Sequence, residues 1–337
     1  MVIKWRQIAK VLVRIAVTTL LLVWVFRKID FQQFRQTVEN ARWQYLIAVW
    51  GFTAIFFLIQ SISMQIILKK QGCTVSLNTL LGASAVTSLY SMILPGILST
   101  GVKWYILKKD TGKGLNVLSS MLYNQLALFV VITAIGLTAL IITNPGPLLL
   151  RDTGNSWIVP TISAILLVST VALCVLLLNA RTGARITTGL SKLLRHFPGA
   201  ARQKGQEVLD QIAIFQNAGV WFHLKIALLT LTASLAICVC VYASAAKAAN
   251  IIVPVGVLVW VWAVVFALGR IPISVANLGV REVTVVGLLA LYGIDRPSAL
   301  LMSMILFSCQ VFMAMIGVAY QVVWAMRAKS HPNHQAN

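Results

Sequence analysis

The sequence predicts an all-α fold: a polytopic transmembrane helical bundle of about seven to nine hydrophobic segments, some of them broken or re-entrant. Three observations predict it. The 337 residues are 59% hydrophobic and 11% charged, with a mean hydropathy of +0.86, well outside the range of soluble domains. Apolar runs near the length of a bilayer crossing follow one another with short polar gaps. Two of those runs are interrupted by proline and glycine, which end helices.

The elements can be justified in order. A basic head with Lys4, Arg6, Lys10 and Arg14 precedes an apolar run at Ala9 to Phe26. That run ends in Val25, Phe26, Arg27 and Lys28 with no small-residue cleavage site, so it reads as a retained first helix. Further runs lie at Tyr45 to Leu68, Leu77 to Leu98, Leu115 to Thr143, Trp157 to Leu178, Ile226 to Ala246, Ile251 to Leu268 and Ala299 to Met326. Together they read as one transmembrane domain over 1–337, with a cytoplasmic loop at about 179–225 and a disordered tail at about 328–337.

Charge sets the orientation. The chain carries 28 Lys plus Arg against 8 Asp plus Glu, a formal +20. The N-terminus, the 69–113 region and the 179–225 loop are basic, whereas 144–156 and 247–250 hold one basic residue each. The basic group is expected to be cytoplasmic and the poor loops external, with the N-terminus inside the cell. Both flanks of Leu77 to Leu98 then lie on one side, so that segment must dip in and return. It ends in "ILPGILSTG", where Pro95, Gly96 and Gly101 are the expected breaks. The four basic residues at 27–43 are an exception. Phe31, Phe34, Val38 and Ala41 recur there at helical spacing, which predicts an interfacial amphipathic helix. A second one is expected in the loop, with Ala201, Gly205, Val208, Ile212 and Phe215 on one face.

The device of a break followed by a basic residue occurs twice. Pro95, Gly101 and Lys103 precede a helix carrying Asn124 and Gln125; Pro272, Gly279 and Arg281 precede one carrying Gln310. Interrupted segments in corresponding positions of two halves point to a binding site between them. Backbone amides freed at such breaks, with a Lys or Arg alongside, suit an anion. The amides themselves also serve as ordinary interhelical hydrogen-bonding groups.

The segment "IPISVANLGVRE", followed by "GLLALYG" and "ALLMSMIL", closely resembles the second signature of the lysylphosphatidylglycerol synthase transmembrane family, also described as flippase-like membrane proteins. The usual form there is PxSxGGxGxRE. Pro272, Ser274, Gly279, Arg281 and Glu282 match it, while Ala276 and Asn277 replace the glycine pair. The first signature is looser: Pro95 is kept, Lys103 stands where Arg is usual, and Thr100 stands where an acid is usual. The resemblance implies a multi-helix membrane fold with re-entrant elements that handles lipids or lipid-linked sugars at the cell envelope. The family's larger members add a cytosolic aminoacyl-transfer domain. This chain ends at Asn337, eleven residues after the last apolar run, so lipid aminoacylation is not expected.

The expectation from sequence is therefore a protein of the cytoplasmic (inner) membrane that binds and translocates an anionic lipid or lipid-linked glycan intermediate. The substrate residues are expected to be Lys103, Arg270, Ser274, Asn277, Arg281 and Glu282, with breaks at Pro95, Gly96, Gly101, Pro272 and Gly279. A carboxylate and a guanidinium next to each other on a helix point apart, so Glu282 is expected to pair with Arg270 or Lys103, leaving Arg281 to face a lipid phosphate.

Expected partners are membrane lipids, with anionic headgroups or polyprenyl-phosphate-linked sugars, and proteins of envelope biosynthesis; nucleic acid is not expected. The competing readings are an accessory scaffold of envelope polysaccharide or lipid synthesis, and a membrane glycosyltransferase using Asp30 and Glu39. No GxSxG, phosphate-binding loop, HExxH or CxxC motif occurs, and no catalytic residue, cofactor or metal is expected. His331 and His334 fall in the polar tail, and Cys73, Cys174, Cys238, Cys240 and Cys309 read as buried thiols.

Overall fold

Among the described residues, five helices are long and apolar enough to cross a membrane, and they frame two shorter helical hairpins. The computed structural model describes residues 18–20, 22–23, 27, 30–92, 94, 96–150, 155–178, 188–189, 191, 206, 214–271, 274 and 277–330. Among the described residues there is no strand. Pro95, Pro272, the basic head, most of the first apolar run, most of the expected loop helix and the 331–337 tail lie outside the described residues.

The expected interfacial helix is present as Phe31–Glu39 (α1). Asp30 caps it by accepting from the Gln32 and Gln33 amides. Phe34, Val38 and Ala41 pack on the main apolar core, while Phe31 stays exposed. Then come Gln44–Lys70 (α2), Leu77–Ser91 (α3), Gly96–Thr111 (α4), Gly114–Thr143 (α5), the short Gly146–Leu150 (α6) and Ile158–Leu178 (α7). A span from Val220 to Ala248 follows. It comprises Val220–Leu235 (α8), a π-helical stretch Ala236–Val241 and Tyr242–Ala248 (α9). The chain continues through Val255–Gly269 (α10), Val280–Ala290 (α11) and Arg296–Ser330 (α12). The last helix runs four residues past the apolar run at Met326, since no proline or glycine intervenes before Ser330.

Side-chain contacts fix which helix ends share a face. Lys113 donates to the Gly72 carbonyl at 3.0 Å and Asn116 to the Gln71 carbonyl at 3.2 Å, joining the end of α2 to the α4–α5 turn. Leu68, Val75, Leu80, Leu107 and Val117 form one cluster there. The hairpin α3–α4 therefore leaves and returns on the Lys70 face. Its arms of 15 and 16 residues are about 22 and 24 Å long, short of the roughly 30 Å apolar core.

On the opposite face, the Arg42 amide donates to the Ala248 carbonyl at 3.0 Å and Asn250 to the Asn40 carbonyl at 2.9 Å. Ile251, Leu289 and Ala299 share the main core, with Tyr292 packed against it. The hairpin α10–α11 thus starts and ends on that second face. The two hairpins enter from opposite sides, an inverted arrangement of the kind found in broken-helix carriers.

The long α12 ties them together. Tyr320 donates to Asn78 at 2.7 Å near the start of α3, and Gln310 donates to Ser91 at 3.2 Å near the tip. Gly317 lies so close to α3 that a Cβ there would stand 2.3 Å from the Ala85 carbonyl oxygen. Small residues at such crossings let two backbones approach inside a membrane.

Candidate cavity between the hairpin tips

The breaks determine where polar groups appear at depth. In the second hairpin, Asn277 (φ 61°) and Gly279 (φ 83°) are both left-handed, which turns the chain back to start α11. Gly269 leaves room for this turn, because a Cβ there would lie 2.4 Å from the Asn277 side-chain nitrogen. Gly279 is the N-cap of α11, as expected of a break. In the first hairpin, Gly96 opens α4. Gly101, by contrast, is an interior residue of α4 rather than a break. It faces open space, so it costs the helix only its propensity penalty and imposes no turn.

Three adjoining cavities lie where the tips meet, with volumes of ≈ 750, ≈ 420 and ≈ 190 Å³. Ser91, Arg270 and Asn277 border the first two, and Thr100 and Gln125 border the first and third. Ser274 lines the first, Arg281 the second and Lys103 the third. The structure therefore brings together five of the six expected site residues, drawn from both repeats.

Glu282 is the sixth, and it is committed elsewhere. Its Oε2 accepts the Gly279 amide at 2.6 Å, capping the first turn of α11. Its Oε1 accepts from Arg281 Nη2, from Arg281 Nε at 3.1 Å and from Ser303 at 3.3 Å. Arg281 and Glu282 are 7% and 3% exposed, so this is a buried pair. The expected partners of Glu282, Arg270 and Lys103, do not reach it. The reason is local: the cap folds the Glu282 carboxylate back over the helix start, and the long Arg281 side chain wraps around the turn to meet it. Ser303 and the ring of Phe307, 5.0 Å from the guanidinium carbon, complete the surroundings of Arg281. Arg281 is accordingly neutralised rather than left to face a ligand alone.

Lys103 and Arg270 are in the opposite condition. Lys103 donates to Ser84 at 3.0 Å. Arg270 donates to Gln125 at 3.0 Å and lies over the Phe266 ring at 4.4 Å. Neither forms an ion pair among the described residues, and no Asp or Glu lines any of the three cavities. The site carries two uncompensated cations, of which Arg270 is held to α5 by Gln125 and Lys103 to α3 by Ser84.

Two further groups escaped the sequence reading as site residues. Both side-chain polar atoms of Gln60, and Oδ1 of Asn124, are buried without a hydrogen-bond partner, and both residues line the ≈ 190 Å³ cavity with Lys103. Asn124 was legible only as an interhelical amide. Gln60 had one signal, a lone amide in the apolar run "FFLIQSIS". Gln310 does act as such an amide, through Ser91. Among the described residues no cluster of metal-ligating side chains occurs, and the five cysteines are free thiols.

Lys103 is half-buried and Arg270 is exposed; cations without counter-ions within the span of a membrane protein mark a candidate site for an anion, since a lone charge at depth costs about 2.5–3.5 kcal/mol on insertion scales. Among curated proteins none matches the chain. Over residues 11–317 it matches the family model described as the lysylphosphatidylglycerol synthase TM region, and this integral, multi-pass membrane protein belongs to that family.

Proposed function

We propose that the protein binds the phosphate-bearing headgroup of an anionic lipid, or lipid-linked glycan, between its hairpin tips and carries it across the cytoplasmic membrane. The observation that supports this is the pair of uncompensated cations, Lys103 and Arg270, supplied by opposite repeats to adjoining cavities that share Thr100 and Gln125 as lining. A phosphate there meets two fixed charges in a low-dielectric setting, where charge-assisted hydrogen bonds are strongest. The ≈ 750 Å³ cavity, walled by Leu94, Leu118, Leu122 and Ile271, suits the lipid's apolar portion. Because the hairpins enter from opposite faces, a rocking of one repeat against the other would expose the same headgroup site to each side in turn.

The test is mass spectrometry of lipids co-purifying with the wild type and with Lys103→Gln and Arg270→Gln at matched expression. One anionic class enriched in the wild type and lost from both variants is expected. Reconstituted vesicles should then move a fluorescent analogue of that class between leaflets faster with wild-type protein than with either variant. Identical bulk lipids in all three samples would overturn the reading and favour a scaffolding subunit of envelope synthesis.

A further inference from the structure

We infer that the π-helical stretch Ala236–Val241 is a rotary joint, about which α8 turns against a fixed α9 between the packing seen here and a second one that pairs polar groups now unmet beside it. Two observations carry this. The first is where the unmet groups lie. Except for Trp260 Nε1 and Tyr292 Oη, the buried side-chain polar atoms without a hydrogen-bond partner among the described residues are all on α2, α5 or α8. These three helices pack against one another. The atoms include those of Gln60 on α2, Asn124 on α5, and His223, Thr230 and Ser234 on α8. They are buried even where their residues border a cavity, so no ligand meets them, and inside a membrane each is costly to leave unpaired. The three on α8 recur at i, i+7 and i+11, which sets them on one line along the helix. A whole stripe of α8 is therefore out of register with its neighbours, and a turn of the helix moves all of it at once.

The second observation is the joint itself. A π turn encloses one residue more than an α turn, so conversion of the stretch to α-helix turns its flanks against each other by about one residue, on the order of 100°. The two flanks are held differently. Tyr242, Ala245, Ala246 and Ala248 of α9 are buried in the main core, and the Ala248 carbonyl accepts the Arg42 amide. None of the partnerless atoms is on α9. The start of α8 is tied by the hydrogen bond of 2.6 Å between Tyr123 Oη and His223 Nδ1, with Phe215 stacked on the Tyr123 ring at 4.4 Å. The register seen here keeps the Tyr123 bond and the second keeps the polar seam, which makes the element two-state. Ile237, Val241 and Tyr242 wall the ≈ 420 Å³ cavity, so the turn reshapes that wall whatever the cavity holds.

Electron-spin distance measurements on the full chain in phosphatidylcholine vesicles test this, with the five native cysteines replaced by alanine. One label pair, Lys109→Cys with Trp221→Cys, spans from α4 to the exposed start of α8; the other, Lys109→Cys with Asn250→Cys, ends just beyond α9. A turn of 100° moves a side-chain tip by up to about 8 Å at the helix surface. The first pair should show two distances and the second pair one. Tyr123→Phe removes the bond that ties the present register, so it should shift the two populations toward the second by about fivefold. Thr230→Val with Ser234→Ala removes unmet hydroxyls from the present register and should shift them the other way by a similar factor. Deletion of residue 240 takes out the extra residue of the π stretch, so it should leave a monodisperse protein with only the first distance. Deletion of Leu228 from the α-helical part should instead disrupt the fold.

A single distance for the first pair in both the wild type and Tyr123→Phe would overturn the joint. Two distances that survive deletion of residue 240 would do the same, and two distances for both pairs alike would assign the motion to a whole repeat instead. Populations unmoved by Thr230→Val with Ser234→Ala would mean that ordered water satisfies the seam, and the second register would lose its driving force. The point substitutions decide the matter even if the deletion at 240 fails to fold.

Discussion

Among single residues, the two kinds of buried charge make opposite predictions. Removing one partner of a buried pair leaves the other charge stranded, at a cost of about 3–5 kcal/mol. Glu282→Ala leaves Arg281 stranded and also uncaps the Gly279 amide, so it should lower the thermal midpoint of the detergent-purified protein sharply. Among the described residues Lys103 has no carboxylate partner, and Lys103→Met removes an uncompensated charge from depth while keeping the side chain's bulk. That variant should be at least as stable as the wild type, by up to about 2 kcal/mol, yet should lose anionic-lipid enrichment. Thermal unfolding of the two variants side by side checks both. A destabilised Lys103→Met with retained lipid would show Lys103 to be a structural bond to Ser84. The sequence could not separate these roles. Its neighbour rule describes helix interiors, and Arg281 and Glu282 stand in a capped first turn, where the rule yields to the cap.

For whole elements, the hairpin α3–α4 was legible in part: basic residues on both flanks of Leu77 to Leu98 and the Pro-Gly break marked a re-entrant segment, but its returning arm, Gly96–Thr111, lies mostly beyond Leu98 and takes up Lys103, Lys108 and Lys109 from the expected flank. Gly101 misled because a glycine signals a turn only where the backbone needs a positive φ or a close approach, and this one needs neither. Gly317 is the reverse case. Nothing in "MAMIGVAYQ" distinguishes it from a helix-interior glycine, yet it sets the distance between α12 and α3. Gly317→Leu should force these helices apart, since the obstacle is the Ala85 backbone rather than a movable side chain. Overpacking of this kind costs about 1–3 kcal/mol where side chains can yield, and more here. The expected result is loss of the monodisperse peak on size exclusion. Gly51→Leu, at a position with nothing within 4 Å, should leave that peak intact.

The assembly of the whole molecule follows from the distribution of charge over its two faces. The Lys70 face carries Lys69, Lys70, Lys108, Lys109 and Lys113, and connects to the 179–219 segment, whose sequence adds Arg181, Arg185, Lys192, Arg195, Arg202 and Lys204. The opposite face, around Asn40, Ala248 and Tyr292, carries far fewer in its short loops. The bias toward basic cytoplasmic loops predicts that the Lys70 face, and with it the end of α12 beyond Tyr320, lies inside the cell. Single cysteines in a background lacking the five native ones should report this directly. Thr74→Cys and Lys113→Cys should both be labelled only from the cytoplasmic side, and Asn250→Cys and Asp295→Cys only from outside. Labelling of 74 and 113 from opposite sides would mean that α3–α4 crosses the membrane, and the inverted pair of hairpins would fall with it. If 74 and 113 agree but all four positions are reversed, the fold stands and the charge rule has been overridden. The pattern expected here puts each hairpin tip at mid-depth, reached from a different side, which is the geometry that two-sided exposure of one anion site requires.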